Sequence, residues 1–498
     1  MIIDIEQRNN QSKSELFISY FNVNGNIDYI TIPLKPKDLF NWAEADGAYN
    51  ADGSGKVTWD NKPIKKINKT DKKYSWENSN REFFKLSKYR IEEILIEHAD
   101  IMAPAYEYNR PKIHFVDIET EITDGFPEAE TALNRVLSIS IANDQGKIYV
   151  LGLKDLSYEE QVSMENNIND YFNKYDVHKK FKSKPWTFSY IKYESEFEML
   201  YAFFSQIVPK MSCLTGWNFI QYDWKYLVNR CSKIYPKIDP GICSVSGRLH
   251  GKSRLPLHRL VTDYLDIYKK WDRAIKIKES NRLDYVAEKA VGVSKVKYNG
   301  SLKDLYEKDF YHFIFYNAID SALIYYIDKR LNTMSTFLSI AHVAQVEINK
   351  AFSPIWVMEA LMTREFLSMN KVFIEKYDSG KDQAEFEGAY VKQPVIGMHQ
   401  FVTCYDFASL YPNTMMQFNI SPETWKGKKT MLDISTTSGH ILKAGDGDIQ
   451  LASGSIFNNS EDSVLRKVLK DLYGRRKNTK HKYLQVAKEI DTLKKYID

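Results

Sequence analysis

The sequence predicts an α/β protein of several domains, and three observations carry that reading. Its 498 residues give room for about three domains of ordinary size. Residues 111–333 alternate strand-period with helix-period segments, beginning with strands at 113–119, 136–141 and 147–151. Tyr (33) and Phe (26) are plentiful, enough for packed cores and unlike a chain that stays solvated.

In chain order, residues 1–110 form a first unit, with strands at 16–21 and 29–32, a turn at 53–55 and a helix at 90–97. Within 111–333, three antiparallel strands precede an amphipathic helix at 194–208 and a strand at 212–217, the order of a ribonuclease H-like sheet. Gly247 and Gly251 bracket a hairpin-tip insert. Residues 334–378 are helical and apolar, and a mixed unit follows at 379–463. Within it, 427–462 reads as loop because Gly, Ser, Asn and Asp dominate and periodicity is low. From Val464 onward the pattern is helical.

Bulk properties narrow the function. Net charge is only +4, so a nucleic-acid site must arise from local clustering and not from a global basic field. Cys213, Cys231, Cys243 and Cys404 show no close pairing, which fits reduced thiols and argues against zinc. No basic-then-apolar leader opens the chain, and no apolar run reaches about 18 residues. The expectation is a soluble cytoplasmic protein with no membrane partner.

Candidate chemistry begins with carboxylates. His114-Phe-Val-Asp-Ile-Glu-Thr120 sets Asp117 and Glu119 two apart on a strand, hence on one face, where hard cations find oxygen ligands. Thr215-Gly-Trp-Asn-Phe-Ile-Gln-Tyr-Asp223 brings Asp223 to a helix start. Tyr316-Asn-Ala-Ile-Asp320 puts Tyr316 and Asp320 four apart on one helical face. Four carboxylates and a phenol can therefore converge. Each piece alone has an ordinary reading: Asp-x-Glu as solvent-facing side chains, 218–223 as a loop into a helix cap. Together and in this order, they favour a cation site.

Downstream, 401–405 reads as a strand delivering Asp406 at its end, and Ser409-Leu-Tyr-Pro412 turns into 413–418. Between Arg466 and Lys482 stand eight Lys or Arg against one acid, Asp471, on a helix whose apolar stripe is Val464, Leu465, Val468, Leu469 and Leu472. Arg476 and Lys480 share a face able to grip a phosphate chain. A solvated basic face is the alternative. Leu484, Ala487, Ile490, Leu493 and Ile497 extend an apolar stripe along the same helix.

The three upstream motifs resemble those of the DEDD proofreading exonucleases, in the DEDDy subclass that carries Tyr where Tyr316 stands. Cys404-Tyr-Asp-Phe-Ala-Ser-Leu-Tyr-Pro-Asn-Thr414 resembles motif A of family B DNA polymerases. With Asn419-Ile-Ser-Pro-Glu-Thr424 behind it, the chain is most similar to the T-even-type bacteriophage branch of that family, over essentially its whole length. The resemblance implies a two-metal 3′–5′ exonuclease in which Asp117, Glu119, Asp223 and Asp320 hold two Mg²⁺ ions, with Mn²⁺ able to substitute, while Tyr316 orients the attacking water. It also implies a polymerase half-site. There the Asp406 carboxylate and the Phe407 carbonyl bind metal, Ser409, Leu410 and Tyr411 contact the nucleotide, and Arg476 and Lys480 hold its triphosphate. DNA contacts fall to Phe126, in Asp124-Gly-Phe-Pro-Glu128, and to Asn218, Gly388 and Tyr390. Phe126 also reads as a loop residue packed on its own domain. Phe386-Glu-Gly-Ala stands where Tyr-x-Gly-Gly is commoner, which weakens the Gly388 and Tyr390 assignment.

By the same resemblance 1–110 is the N-terminal domain, 111–333 the exonuclease domain, 334–378 a return segment of the N-terminal domain, 379–463 a partial palm and 464–498 the first fingers helix. The family's second lysine helix, Asp-Thr-Asp palm motif and thumb have no counterpart in these 498 residues. The expectation is the editing half of a replicative polymerase, with synthesis requiring a C-terminal chain or segment, through a natural split or a truncated frame. Implied partners are primer–template DNA, single-stranded 3′ ends, dNTPs, that C-terminal chain and a sliding clamp reached through it, in the cytoplasm of an infected host cell. Two other classes stand beside this one. A free-standing DEDDy exonuclease would not need motif A or the basic helix. A non-catalytic nucleic-acid-binding regulator would not need four separated carboxylates.

Overall fold

The computed structural model describes residues 1–9, 13–45, 55–67, 85–123, 125–276, 279–296, 300–374, 391–428, 442–443 and 447–497. The chain divides into two units, one from Met1–Lys35 and His98–Met358, the other from Pro36–Glu97 and Glu359–Asp498.

In the first unit, alternating apolar residues build an antiparallel sheet of β1 (Ile2–Asn9), β2 (Ser14–Phe21) and β3 (Ile27–Leu34), in that order. A second, six-stranded mixed sheet holds the first of the three carboxylate motifs, and the carboxylates of the other two lie on helices packed against it. Its strands are β4 (Ile113–Thr120), β5 (Val136–Asn143), β6 (Lys147–Gly152), β7 (Thr187–Lys192), β8 (Cys213–Thr215) and β9 (Leu260–Val261). They lie in the order β7-β6-β5-β4-β8-β9. The first three in sequence are antiparallel, and β7, β8 and β9 join in parallel. The expected order of strands is therefore present. Helix α1 (Tyr158–Asn173), started by a Ser157–Glu160 capping box, and strand β7 are additions that the sequence pattern did not suggest.

Helices cover both faces of this sheet, so its central strands are buried on both sides. On one face Val116, Ile118, Ile139 and Ile141 join Phe203, Phe204, Trp224 and Leu227 in a common core. Those partners come from the turns that continue α2 (Glu196–Ala202) to Lys210, and from α3 (Asp223–Ile234). On the other face Phe115 meets Tyr264, which opens α4 (Tyr264–Trp271), and Tyr325. Tyr325 belongs to α6 (Phe310–Leu331), preceded in the chain by α5 (Leu283–Val291). Two serines of β5 face α6: Ser138 donates to Asn317 at 2.9 Å, and Ser140 bonds Ser321 at 2.7 Å. The 247–251 insert is the expected hairpin, Leu249–His250 pairing antiparallel with Leu255–Pro256.

A buried ion pair fixes the approach to β5. Arg230 on α3 binds Glu196 on α2 through two bonds of 2.8 and 2.7 Å. The same carboxylate accepts the Val136 amide and the Tyr235 hydroxyl, both at 2.8 Å, while Arg230 reaches the Ala132 and Leu133 carbonyls. Every polar group of the pair is thus engaged away from water, the condition under which such a pair holds geometry.

In the second unit, Asn41–Glu44 pairs antiparallel with Ile64–Ile67 around Phe40, Trp42, Ile64 and Val372. The expected helix near 90–97 is Lys88–Glu97, on which Glu93 accepts from Trp42 Nε1 and from Arg90. The apolar 334–378 stretch contains helices Thr333–Ala344 and Pro354–Ser368, the latter straddling the two units. Most of the turn expected at 53–55 lies outside the described residues.

Two expectations need correction. Residues 402–407 are irregular and exposed, not a strand, because no described strand supplies a ladder partner. The stretch read as loop at 427–462 instead contributes to a four-stranded sheet. Trp425–Lys428 pairs with Ser455–Asn458, which pairs with Asp448–Gln450, which pairs with Leu442–Lys443. Strands of two to four residues carry too little alternation to be read from sequence. Asn419 then anchors α8 (Val464–Ile497), accepting the Ser463 amide and donating to the Asn458 and Glu461 carbonyls; Glu423 accepts the Val464 amide.

Arg230→Ala should destabilise the first unit by about 3–5 kcal/mol, the usual cost of stranding a buried charge. A urea midpoint measured on the variant checks this; an unchanged midpoint would show the pair to be dispensable.

Candidate active site

Strand β4 presents Asp117 and Glu119 on one face, opposite Ser140 and Ser138 of β5. Helix α6 crosses that face and adds Asp320. Ligand oxygens of Asp117, Glu119 and Asp320 lie within 4.8 Å of one another. Asp223 enters from the start of α3, beyond the end of β8. Strand β8 pairs only with residues 113–115 of β4, and farther along β4 the Asp223 Oδ1 accepts the Ile118 amide at 3.1 Å. Gly216 makes this close approach possible, since a Cβ there would sit 2.3 Å from the Val116 carbonyl oxygen. The four predicted carboxylates are therefore gathered in one unit, three in mutual reach and the fourth bonded to the backbone between Asp117 and Glu119.

Tyr316 stands one turn before Asp320 on α6, as its spacing predicted. Beside it is a residue that sequence reasoning missed. Lys295, in the segment after α5, binds Asp320 Oδ2 at 2.5 Å and lies 4.6 Å from the centre of the Tyr316 ring. It belongs to no periodic pattern, so the sequence offered no signal for it. A second omission is Asn317. Its Nδ2 donates to Asp117 Oδ2 at 2.8 Å, while its own oxygen accepts from Ser138. Its burial and two fixed bonds orient the Asp117 carboxylate.

The site is short of positive charge. Burial pushes Asp117 up to about 7, and the Asp320 charge adds to the effect. Burial, then Asp117 and Asp320, raise Glu119 well above the carboxylate range; burial, then Asp117, do the same to Asp223. Asp320 is also raised by burial, with Lys295 opposing. Lys295 itself is held protonated by Asp320 despite its burial, and burial followed by Asp320 raises the Tyr316 phenol. Among the described residues, Asp320 Oδ1 is buried with no hydrogen-bond partner. Clustered oxygens, an orphaned acceptor and carboxylates that resist ionisation fit a divalent cation site.

Around this pocket, Phe126 is 77% exposed and its ring lies 5.3 Å from that of Tyr222, the residue before Asp223. Asn218 is exposed with φ +62°, on the loop joining β8 to α3.

Comparison with known proteins agrees with this layout. A model of the family B DNA polymerase exonuclease domain matches residues 67–259, and one of DNA polymerase family B matches 347–497. Together they span more than half of the chain. The chain belongs to the family B DNA polymerases. The DNA-directed DNA polymerase of Escherichia phage RB69 is 26% identical over 415 residues, 78% of this chain and 44% of that protein. The enzyme of Enterobacteria phage T4 is 26% identical over 62% of this chain and 35% of its own length. The DNA polymerase catalytic subunit of human herpesvirus 7 is 28% identical over 58% of the chain and 30% of that subunit. The chain thus spans less than half the length of these relatives. It carries the family's exonuclease domain and part of its polymerase domain. Tyr316 and Asp320 fall between the two matched segments, so geometry alone brings them in.

The residues expected for a polymerase half-site are arranged differently. Asp406 and Phe407 lie on the exposed irregular segment, Phe407 at 76% exposure, and Asp406 belongs to no cluster of three metal-ligating side chains among the described residues. Ser409 has φ +52° and precedes α7 (Leu410–Gln417), so Leu410 and Tyr411 open that helix. Arg476 and Lys480 are exposed on α8, where Arg475 pairs with Asp471. Gly388 and Tyr390 lie outside the described residues. The four cysteines are free, and no described helix is long and apolar enough to cross a membrane.

Because the folded pocket raises the carboxylates, it binds protons more tightly than the unfolded chain. Without divalent cations its contribution to stability is therefore lost as pH rises from about 4 through about 7. In EDTA, the melting temperature should fall across that window, and Mn²⁺ or Mg²⁺ should recover it most at the alkaline end. Asp117→Asn should flatten the metal-free profile. A melting temperature near pH 8 that ignores both cations would overturn the cation assignment.

Proposed function

We propose that the first unit hydrolyses DNA from the 3′ end to mononucleotides, as the editing activity of a replicative DNA-directed DNA polymerase. The convergence of Asp117, Glu119 and Asp320 within 4.8 Å, with Asp223 bonded between the first two, carries this reading. Two divalent cations, Mg²⁺ by preference, would lower the pKa of a water and stabilise the leaving 3′-oxygen when bound. The four carboxylates would supply the oxygen ligands. Tyr316 keeps its proton and orients the incoming water by its hydroxyl, a positioner and not a base. Lys295 steadies Asp320 and offsets the acidic field that an incoming phosphate meets. Asn317 fixes the Asp117 carboxylate. Phe126, exposed beside the pocket, stacks on a terminal base, a contact worth about 1–3 kcal/mol, and Asn218 contacts the strand.

The synthesis side of the proposal assigns Asp406 and the Phe407 carbonyl to metal. Ser409, Leu410, Tyr411, Arg476 and Lys480 are assigned to the dNTP, and Gly388 and Tyr390 to template DNA. It divides the chain into an N-terminal domain (1–110 with 334–378), an exonuclease domain (111–333), palm (379–463) and first fingers helix (464–498). Motif A and the family B match over 347–497 support it. Primer–template DNA is the shared substrate, and a clamp is a partner of the whole enzyme.

On 3′-labelled single-stranded DNA in Mg²⁺, Asp117→Ala with Glu119→Ala should abolish release by several orders of magnitude, since ligands to both cations go. Undiminished hydrolysis would show the site misassigned. Tyr316→Phe should slow hydrolysis while leaving metal-dependent DNA binding nearly unchanged; collapse of both would make Tyr316 a core residue. Asn317→Ala should raise the half-saturating metal concentration about 10–100-fold, the usual range for a residue that orients a ligand.

A further inference from the structure

Away from the carboxylates, basic side chains from three separate stretches of chain gather at the opposite end of the catalytic sheet. Between residues 174 and 184 stand five lysines, Lys174, Lys179, Lys180, Lys182 and Lys184, against one acid, Asp176. All five are exposed, and none forms an ion pair among the described residues. The short helix Val177–Phe181 is bounded by left-handed residues, Asp176 at φ +53° and Lys182 at φ +48°. Tyr326 of α6 holds it in place, with its hydroxyl 3.2 Å from His178 Nδ1 and its ring 6.3 Å from that of Phe181. Trp186 locks the far side by donating to the same hydroxyl at 2.9 Å.

Lys147 opens β6 beside this segment: it pairs with Thr187, and the preceding Gly146 lies against Pro185 and Lys184. Helix α6 ends with exposed Lys329 and Arg330, one turn beyond Tyr325 and Tyr326, which pack on Trp186. Strands β4 and β6 run the same way, so Lys147 lies at the Ile113 end of the sheet and not the Glu119 end. Along α6, Arg330 is ten residues past Asp320, about 15 Å at 1.5 Å per residue. A charge run on one helix is ordinarily a solvated face. Convergence from three segments, on a buttressed scaffold, concentrates charge in a way that a single run does not.

We propose that this surface is a second, non-catalytic contact for the phosphate backbone of duplex DNA, resting on the reading of the chain as a DNA enzyme. Lysines on an open surface bind phosphates without reading bases. Duplex is favoured over single strand for two reasons. It carries the denser line of charge, and a single strand would need open aromatic faces for stacking. Here Tyr175 packs on Tyr171 and Phe181 on Tyr326, leaving none fully open.

The test compares the 498-residue chain with its Lys179→Ala/Lys180→Ala/Lys182→Ala/Lys184→Ala variant. Binding to a blunt duplex of about 20 base pairs is measured by anisotropy in EDTA over a salt series. Each phosphate contact contributes about 0.9 to the log–log salt slope, so the variant, short of four lysines, should lose up to about 3.6 in slope and at least tenfold in low-salt affinity. Hydrolysis of a short single strand in Mg²⁺ should stay unchanged. Equal affinity and slope in the two proteins would overturn the proposal and leave an acidic protein surface as the partner to seek. A wild type that binds no duplex but still hydrolyses single strands would also overturn it, leaving the nuclease reading intact. Failure of hydrolysis with duplex binding retained would instead strike the nuclease reading.

Discussion

Mutual repulsion among clustered, half-buried to buried carboxylates is the constraint around which the first unit is organised. Asp117, Glu119 and Asp320 are held closer than solvated acids would settle, and Asp223 is buried beside them. Such a cluster persists only if the scaffold resists its spreading. β4 is clamped between β5 and β8, α6 is docked to β5 through paired serine contacts, and the Glu196–Arg230 network fixes where β5 begins. Inside the pocket, Lys295 and Asn317 offset part of the repulsion without filling the remaining lone pairs. The pocket is rigid in its walls and deficient in charge at its centre, a combination that selects for small, hard cations.

Much of this was legible in the sequence because the residues involved obey the two periods of regular structure. Asp117 and Glu119 are two apart on a strand, and Tyr316 and Asp320 four apart on a helix, so each pair shares a face before any tertiary information is available. Asp223 was legible as a helix start, and α3 begins there. Lys295 was not, because its position follows from how the chain returns after α5, a property of tertiary path with no local signature. Asn317 was hidden for a different reason. It sits inside the motif, but a neutral amide next to a Tyr attracts no chemical reading until its two partners are seen.

The second unit shows the limits from the other side. The apolar alternation at 401–405 resembles a strand, yet alternation specifies a strand only when a partner edge exists, and among the described residues none does. Conversely, the polar 427–462 stretch forms short strands held mainly by backbone ladders, which leave little trace in side-chain pattern. The Asn419–Thr424 segment was recognised by resemblance. Its physical office is to cap and anchor the start of α8, through Asn419 and Glu423.

The bond between Asp223 and the Ile118 amide changes how loss-of-function data at this position should be interpreted. β8 is too short to satisfy β4 along its whole length, so the carboxylate completes the strand's hydrogen bonding where the sheet itself stops. Alanine there would erase a chemical group and also orphan a backbone donor beneath two other acids. An inactive alanine mutant would thus confound catalysis with architecture. Asparagine, which keeps an acceptor oxygen and discards the charge, separates the two.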